Sequence, residues 1–341
     1  MDNRPGGAVE EGVTASGLRV VRVEGDTSAR GRRAGELLGD LVDRSLAFYR
    51  DYLGDRRRDL APFRRSAERA LPEHVAWLDA FAAGAGVDVE ELFAVNALEE
   101  LEQRAPVERC STFAAVGEDF SLLGHHEMWL EGDRGNVAVV IEQPTRGPAV
   151  ASPTIACCLP AVGMNEHRLA RGIDSLTARN DRIGVPRVLV SRHVLDAHDR
   201  EDALRRAALP GRAGGYAYVF AAPGEAFTIE TTSDHAALLN DAHALVHTNH
   251  YLGPELEPLG DEPSASSATR YAHLRGLLRE RPPQTPDEVM AILREHAAEP
   301  HDGDSVVVFS MVCEVESGRM WVSPSDPSET AYEEVDLDGV V

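Results

Sequence analysis

At 341 residues the chain is long enough to bury one large core or two modest ones. Its formal charge of -23 repels polyphosphate and anionic lipid, which argues against nucleic acid or a membrane surface as partner. All the basic charge is arginine, because lysine is absent, so Schiff-base chemistry and a P-loop are excluded.

The opening MDNRPGGAVEEG has neither a basic start nor an apolar run, and nothing later approaches the roughly 18 apolar residues of a membrane span. The expectation is a cytoplasmic protein. A strand-like LRVVRVEG (18–25) comes first. Three segments with apolar residues at three- and four-residue steps follow: SARGRRAGELLGDLVDRSLAFYRDYL with Ser28 as N-cap, FRRSAERALPEHVAWLDAFAAGAG, and DVEELFAVNALEELEQ with Asp88 as cap. They predict a helical segment over 1–109.

The pattern changes at Cys110. STFAAVG, DFSLLGHH, NVAVVIEQ and PAVASPTIACC are short apolar or alternating runs broken by Gly, Pro, Asn and Asp, which predict consecutive strands. VPRVLVSRHVLDA and DREDALRRAAL, the latter starting near Asp199, predict two helices. Strands then recur around Gly224 and at ALVHTNH. After a loop over 253–266 come helices at SSATRYAHLRGLLRERP and TPDEVMAILREHA, and the closing strands SVVVFSMVCEV and RMWVSPS flank a Ser317-Gly318 turn. Strands and helices in blocks predict an α+β fold with two antiparallel sheets covered by helices.

Four cysteines are too few and too irregularly spaced for a disulfide framework, and no CxxC pair suggests zinc. Cys157, Cys158 and Cys313 lie in apolar runs and read as core. His125, His126, His167, His247 and His250 lack the spacing of metal ligands, so neither metal nor cofactor is expected. Cys110 by itself reads first as a buried strand cysteine and only second as a nucleophile.

Its context adds more. CSTFA, then LGHHEMW, GMNEHRLA, GVPRVLVSRHVLDA, HTNHYL, SSATRY and SVVVFSMV with RMWVSPSDP, in that order, resemble the penicillin acyltransferase (peptidase C45-like) family of N-terminal-nucleophile hydrolases, related to conjugated bile acid hydrolases. The likeness covers 110–341, with a weaker helical likeness over 1–109. It implies a four-layer αββα sandwich at 110–341 with the segment 1–109 packed on it. It also implies self-cleavage between Arg109 and Cys110, after which Cys110 attacks an amide through a thioester. One residue then carries both a thiol and an α-amine of near-neutral pKa.

The resemblance further makes Asn249 an oxyanion donor, a role typically worth roughly 3 kcal/mol. It makes Asn165 a second asparagine facing the scissile carbonyl, and Arg270 a cation orienting the nucleophile. In GHHEMW this chain departs from the family pattern: His126 stands in the asparagine position and Met128 in the aspartate position, so His125, His126 or Glu127 has to compensate, with His126 expected as the substitute base. His125, Glu127, Trp129 and His250 are the expected substrate contacts. The implied substrate is a small acylated amine or peptide-like metabolite, with the two fragments of the chain, and a homodimer, as partners. An unprocessed amidohydrolase using an internal Cys110, and a catalytically silent binding relative, stay open as alternatives.

Overall fold

The structure is a computed structural model that describes residues 11–102, 110–240, 244–299, 305–337 and 340. Two short strands, β1 (Glu11–Val13) and β2 (Arg19–Gly25), precede five helices: α1 (Thr27–Leu53), α2 (Ala61–Ala70), α3 (Pro72–Ala85), α4 (Val89–Val95) and α5 (Leu98–Glu102). The N-cap of α1 is Asp26, whose carboxylate accepts from the Ala29 N–H at 2.8 Å, two residues before the expected Ser28. The single helix expected over FRRSAERALPEHVAWLDAFAAGAG is two. Leu71, restricted by Pro72, leaves helical geometry at φ -135°, ψ 57°. Helices α1 and α3 approach so closely that a Cβ on Gly35 would stand 2.1 Å from the Phe81 carbonyl oxygen.

From Cys110 onward come β3 (Ser111–Val116), β4 (Ser121–Leu130), β5 (Val137–Pro144), β6 (Val150–Ile155), β7 (Gly163–Asn165) and β8 (Ala170–Leu176). Next are α6 (Arg187–Leu195), α7 (Arg200–Ala207), β9 (Gly215–Ala222), β10 (Glu225–Thr231), β11 (Ala236–Leu239) and β12 (Ala244–His247). Helices α8 (Ala265–Glu280) and α9 (Pro286–His296) and strands β13 (Ser305–Glu314), β14 (Arg319–Ser323) and β15 (Glu333–Val335) complete the chain. The expected cap at Asp88 forms, Asp199 caps the helix expected to start near it, and Thr285 with Glu288 closes a capping box on α9.

One sheet runs β1-β2-β5-β6-β7-β8-β9-β10-β11 and the other β12-β3-β4-β13-β14-β15. Strands β3 and β4 pack face to face on β8 and β9, α8 and α9 cover the outer face of the smaller sheet, and α6 and α7 lie on the larger. This is the four-layer αββα sandwich. Among the described strands every pairing is antiparallel except β2 with β5, which stitches the N-terminal segment into the larger sheet. The main apolar core accordingly runs from Leu18 to Val340 without a break at Cys110. Cys157 and Cys313 are buried in it, while Cys158 is half-buried. No helix among the described residues is long and apolar enough to cross a membrane.

Candidate active site

Cys110 immediately precedes β3 between the two sheets. It is 2% exposed, and its φ of 84° places a side-chain-bearing residue in left-handed backbone space. Among the described non-glycine residues only Arg168 shares that sign. Such conformations cost about 1–3 kcal/mol and persist only where neighbours over-determine them. Here the neighbour is Arg270 of α8, fully buried. Its Nη1 donates to the Cys110 carbonyl oxygen at 2.5 Å and to Ser111 Oγ at 2.8 Å, its Nη2 to Asn249 Oδ1 at 2.7 Å, and its Nε to Ser266 Oγ at 3.2 Å. A planar fork with fixed donors can hold three segments of chain in register, which a lysine could not.

Successive side chains of β4 point to opposite faces. His125 and Glu127 point inward. Glu127 Oε1 lies 3.5 Å from Cys110 Sγ, its Oε2 accepts from His125 Nε2 at 3.1 Å, and His125 Nδ1 is hydrogen-bonded to Thr112 Oγ1 at 2.9 Å. The Glu127 carboxylate can only accept, so it sets the proton on His125 Nε2, and the Thr112 hydroxyl holds the other ring nitrogen. The reactive atoms of Cys110, His125 and Glu127 all lie within 4.8 Å of one another and all three residues are buried. Among the described residues this is the one grouping of its kind. A thiol, a carboxylate and an imidazole already joined by hydrogen bonds are arranged to pass a proton.

His126 is on the other face. Its Nε2 donates to the Leu293 carbonyl of α9 at 3.0 Å and its ring stacks on His296 at 5.7 Å, so it faces away from the thiol it was expected to serve, and the carboxylate beside Sγ is that of Glu127. Asn165 is also corrected. Its Nδ2 donates to the carbonyls of Leu195 and Ala197, each at 2.8 Å, and its Oδ1 accepts from the N–H groups of His167 and Leu169. All its capacity goes to tying the end of α6 to β7.

Asn249 is joined to Cys110 through the Arg270 guanidinium. Its N–H donates to Ser267 Oγ at 2.9 Å, its Oδ1 is held by Arg270, and its Nδ2 donates to the Ser175 carbonyl at 3.1 Å. His250 is one step removed, with Nδ1 2.8 Å from Ser267 Oγ and the ring edge-on to Tyr271. Burial first, then the nearby His247, pushes its pKa down to about 4. Trp129 donates to the Tyr49 hydroxyl and lines, with Glu127, Ile173, Tyr216 and Phe309, a small apolar cavity of about 50 Å³. A larger cleft of about 530 Å³ opens beyond Ser175, walled by Glu99, Glu102, Arg179 and Arg187. Arg109 lies outside the described residues.

Burial is the main reason the Cys110 thiol sits well above its ordinary pKa. The charges of Glu127 and Asp174 add to the rise, and the Met128 backbone N–H opposes it. The thiol is therefore protonated at rest and needs an acceptor at the moment of attack. Asp174, on β8, has no counterpart in the residues singled out from sequence. Its strand was not recognised, because ARGIDSL carries two charges and a glycine among its seven residues.

Gly172, also on β8, explains how close the sheets come: a Cβ there would stand 2.7 Å from both His125 Nδ1 and Thr112 Cγ2. Gly172→Ala should displace the imidazole without breaking the fold, lowering kcat roughly 10- to 100-fold, because misplacement by about 1 Å costs that much. Steady-state rates alongside a thermal melt check this. An unchanged kcat would mean that the His125 position is not critical.

The family model for acyl-coenzyme A:6-aminopenicillanic acid acyl-transferases matches residues 140–318. No curated protein matches the chain. Among solved structures, penicillin V acylase from Agrobacterium tumefaciens is similar at 13% identity and a TM-score of 0.46, covering 67% of this chain and 87% of that one. The family match spans more than half of the chain, and the chain belongs to the acyl-coenzyme A:6-aminopenicillanic acid acyl-transferase family, as an enzyme of acyl transfer at amide bonds.

Proposed function

We propose that Cys110 is the nucleophile of a cysteine amidohydrolase or acyltransferase that first cleaves its own Arg109–Cys110 bond and then acts on a small acylated amine or peptide-like metabolite. The observation that carries this reading is the contact between Cys110 Sγ and Glu127, at 3.5 Å, at the end of a buried Thr112–His125–Glu127 relay.

In the first reaction Sγ adds to the Arg109 carbonyl carbon while the thiol proton passes to Glu127. The tetrahedral adduct collapses with cleavage of the C–N bond, and the leaving amine of Cys110 takes up that proton. Water then opens the thioester, releasing a new carboxylate at Arg109. Strain at Cys110 favours a reaction that lets this residue relax. Segments 1–109 and 110–341 then act as a packed-on fragment and a catalytic fragment, held together because β2 belongs to the same sheet as β5.

In the second reaction the substrate amide takes the place of the Arg109 carbonyl. The new α-amine and Glu127 share the proton work, and the Asn249 amide stabilises the oxyanion. The leaving amine departs protonated, and water or an acceptor amine resolves the thioester. Pre-bonding of Asn249 and Cys110 by Arg270 means that no reorganisation is needed as charge develops. Acid-quenched reactions with a panel of N-acyl amines test the reading. The expected product is a hydroxylamine-sensitive acyl adduct on the peptide beginning at Cys110. Turnover that persists in Cys110→Ala would refute it.

A further inference from the structure

Two thiols take no part in the mechanism above and yet stand against its site. Cys157 and Cys158 are adjacent and both are free thiols, but only the first is fully buried. Cys158 is half-buried and lines the small cavity that also holds Glu127, Trp129, Tyr216 and Phe309. It is therefore reached from the same space as the carboxylate beside Cys110 Sγ. The Cys157 thiol bonds to Cys158 and to Ser45; burial first, then Cys158 and Asp133, push it well above its ordinary pKa. Ser45 Oγ donates to Asp133 at 2.7 Å, and the Tyr49 hydroxyl donates to the same carboxylate while accepting from Trp129 Nε1. The pair thus touches the cavity wall through Cys158 and the support of Trp129 through Cys157.

The backbone between the two thiols is clamped. Asn96, at the end of α4, donates from Nδ2 to the Cys157 carbonyl at 3.0 Å and accepts on Oδ1 from the Leu159 N–H at 2.7 Å, and the Cys158 N–H closes a turn on the Ile155 carbonyl at 2.8 Å. Neighbouring Cα atoms lie about 3.8 Å apart, short of the roughly 4.4–6.8 Å that an ordinary disulfide spans. A bridge between adjacent cysteines therefore twists the intervening peptide and is readily reduced, which suits a reversible switch rather than a structural staple. Cys313 is the contrast: it has no thiol neighbour, it lies off this cavity, and burial alone raises its thiol.

Resting on the acyl-transfer reading for its effect on turnover, we propose that Cys157 and Cys158 are a redox-sensitive modification site: hydrogen peroxide entering the catalytic cavity converts them to a vicinal disulfide that slows the enzyme, and a dithiol reverses it. Access sets the order. The Cys158 sulfur attacks one peroxide oxygen, the O–O bond breaks, and sulfenic acid and water form. The Cys157 sulfur then attacks that of Cys158; an S–S bond forms, the S–O bond breaks, and hydroxide leaves with the Cys157 proton as a second water. Two thiols are oxidised and the peroxide is reduced to water. Bridging draws the Cys158 sulfur off the cavity wall, twists the peptide that Asn96 holds and parts Cys157 from Ser45, so the wall beside Glu127 and the anchor of Trp129 both shift.

The experiment treats wild type and Cys157→Ala with hydrogen peroxide and then with dithiothreitol. A non-reducing peptide map and the rate on one N-acyl amine are read from the same samples, each rate referred to its own untreated protein. In wild type the peptide holding Cys157 and Cys158 should lose two hydrogens while Cys313 stays a thiol. Its kcat/KM should fall roughly tenfold, as a small displacement beside the reacting groups requires, and dithiothreitol should restore both. Cys157→Ala lacks the resolving thiol, so Cys158 goes on to sulfinic acid and dithiothreitol no longer restores the rate. A wild-type map without the bridge rejects the site. A bridge that leaves the rate unchanged, a reversible loss that recurs in Cys157→Ala, or a loss that follows oxidation of Cys110 rejects its control of the enzyme. Should Cys157→Ala not fold, Cys157→Ser takes its place, and the wild-type map decides the site in either case. Untreated wild type that turns over no N-acyl amine marks failure of the acyl-transfer reading instead, and the bridge is then judged on the map alone.

Discussion

Glu127→Gln should lower kcat by roughly two to four orders of magnitude while making the Cys110 thiol easier to ionise. The two effects have opposite signs because Glu127 acts on the thiol in two ways. Its carboxylate stands 3.5 Å from Sγ and is the nearest acceptor for the thiol proton, and general-base removal typically costs about 10²- to 10⁴-fold. The same negative charge, after burial, is the largest reason the thiol pKa is raised. Glutamine removes the charge, so thiolate forms at lower pH; it also removes the acceptor, so the proton has nowhere to go during attack. The pH dependence of alkylation at Cys110 and kcat on the same preparation resolve the pair. A base that merely tuned the thiol would show faster alkylation and faster turnover together. Unchanged turnover would remove Glu127 from the mechanism.

Much of the scaffold was legible because its signals are local. Alternation marked β3 to β6, Asp88 and Asp199 announced their helices, and Gly224, at φ 72°, turned β9 into β10. Pro72 was equally visible, and its effect on Leu71 should have split the second helix. The site was harder to read, for a reason that lies in the strand period. Placing GHHEMW on a family motif put Met128 where a carboxylate is expected, but the inward face of β4 carries His125 and Glu127, and a one-residue offset on a strand exchanges its faces. The carboxylate is present one position earlier.

Asn165 failed for a different reason. Its amide is consumed by Leu195 and Ala197, some thirty residues on, and no short-range pattern announces that α6 ends above β7. Asp174 was missed with its whole strand. Asn249 and Arg270 were found from their motifs, but their connection to each other and to the Cys110 carbonyl exists only in the fold.

The central claim is that Cys110 becomes a chain start, and the largest single effect follows from removing its sulfur: Cys110→Ala should stay one chain with no amide turnover. Processing needs Sγ for the N-to-S acyl shift, and no other group among Cys110, His125 and Glu127 can form the thioester. The most direct measurement is denaturing intact-protein mass spectrometry of freshly purified wild type followed over days. The account predicts decay of the 37.0 kDa chain into fragments of roughly 12 and 25 kDa, apportioned by length, that co-migrate under native conditions because they share one core. The larger fragment should begin at Cys110, and the Cys110→Ala chain should remain whole throughout. A wild-type chain that stays whole yet hydrolyses amides through Cys110 would contradict the N-terminal-nucleophile mechanism and leave an internal cysteine served by Glu127.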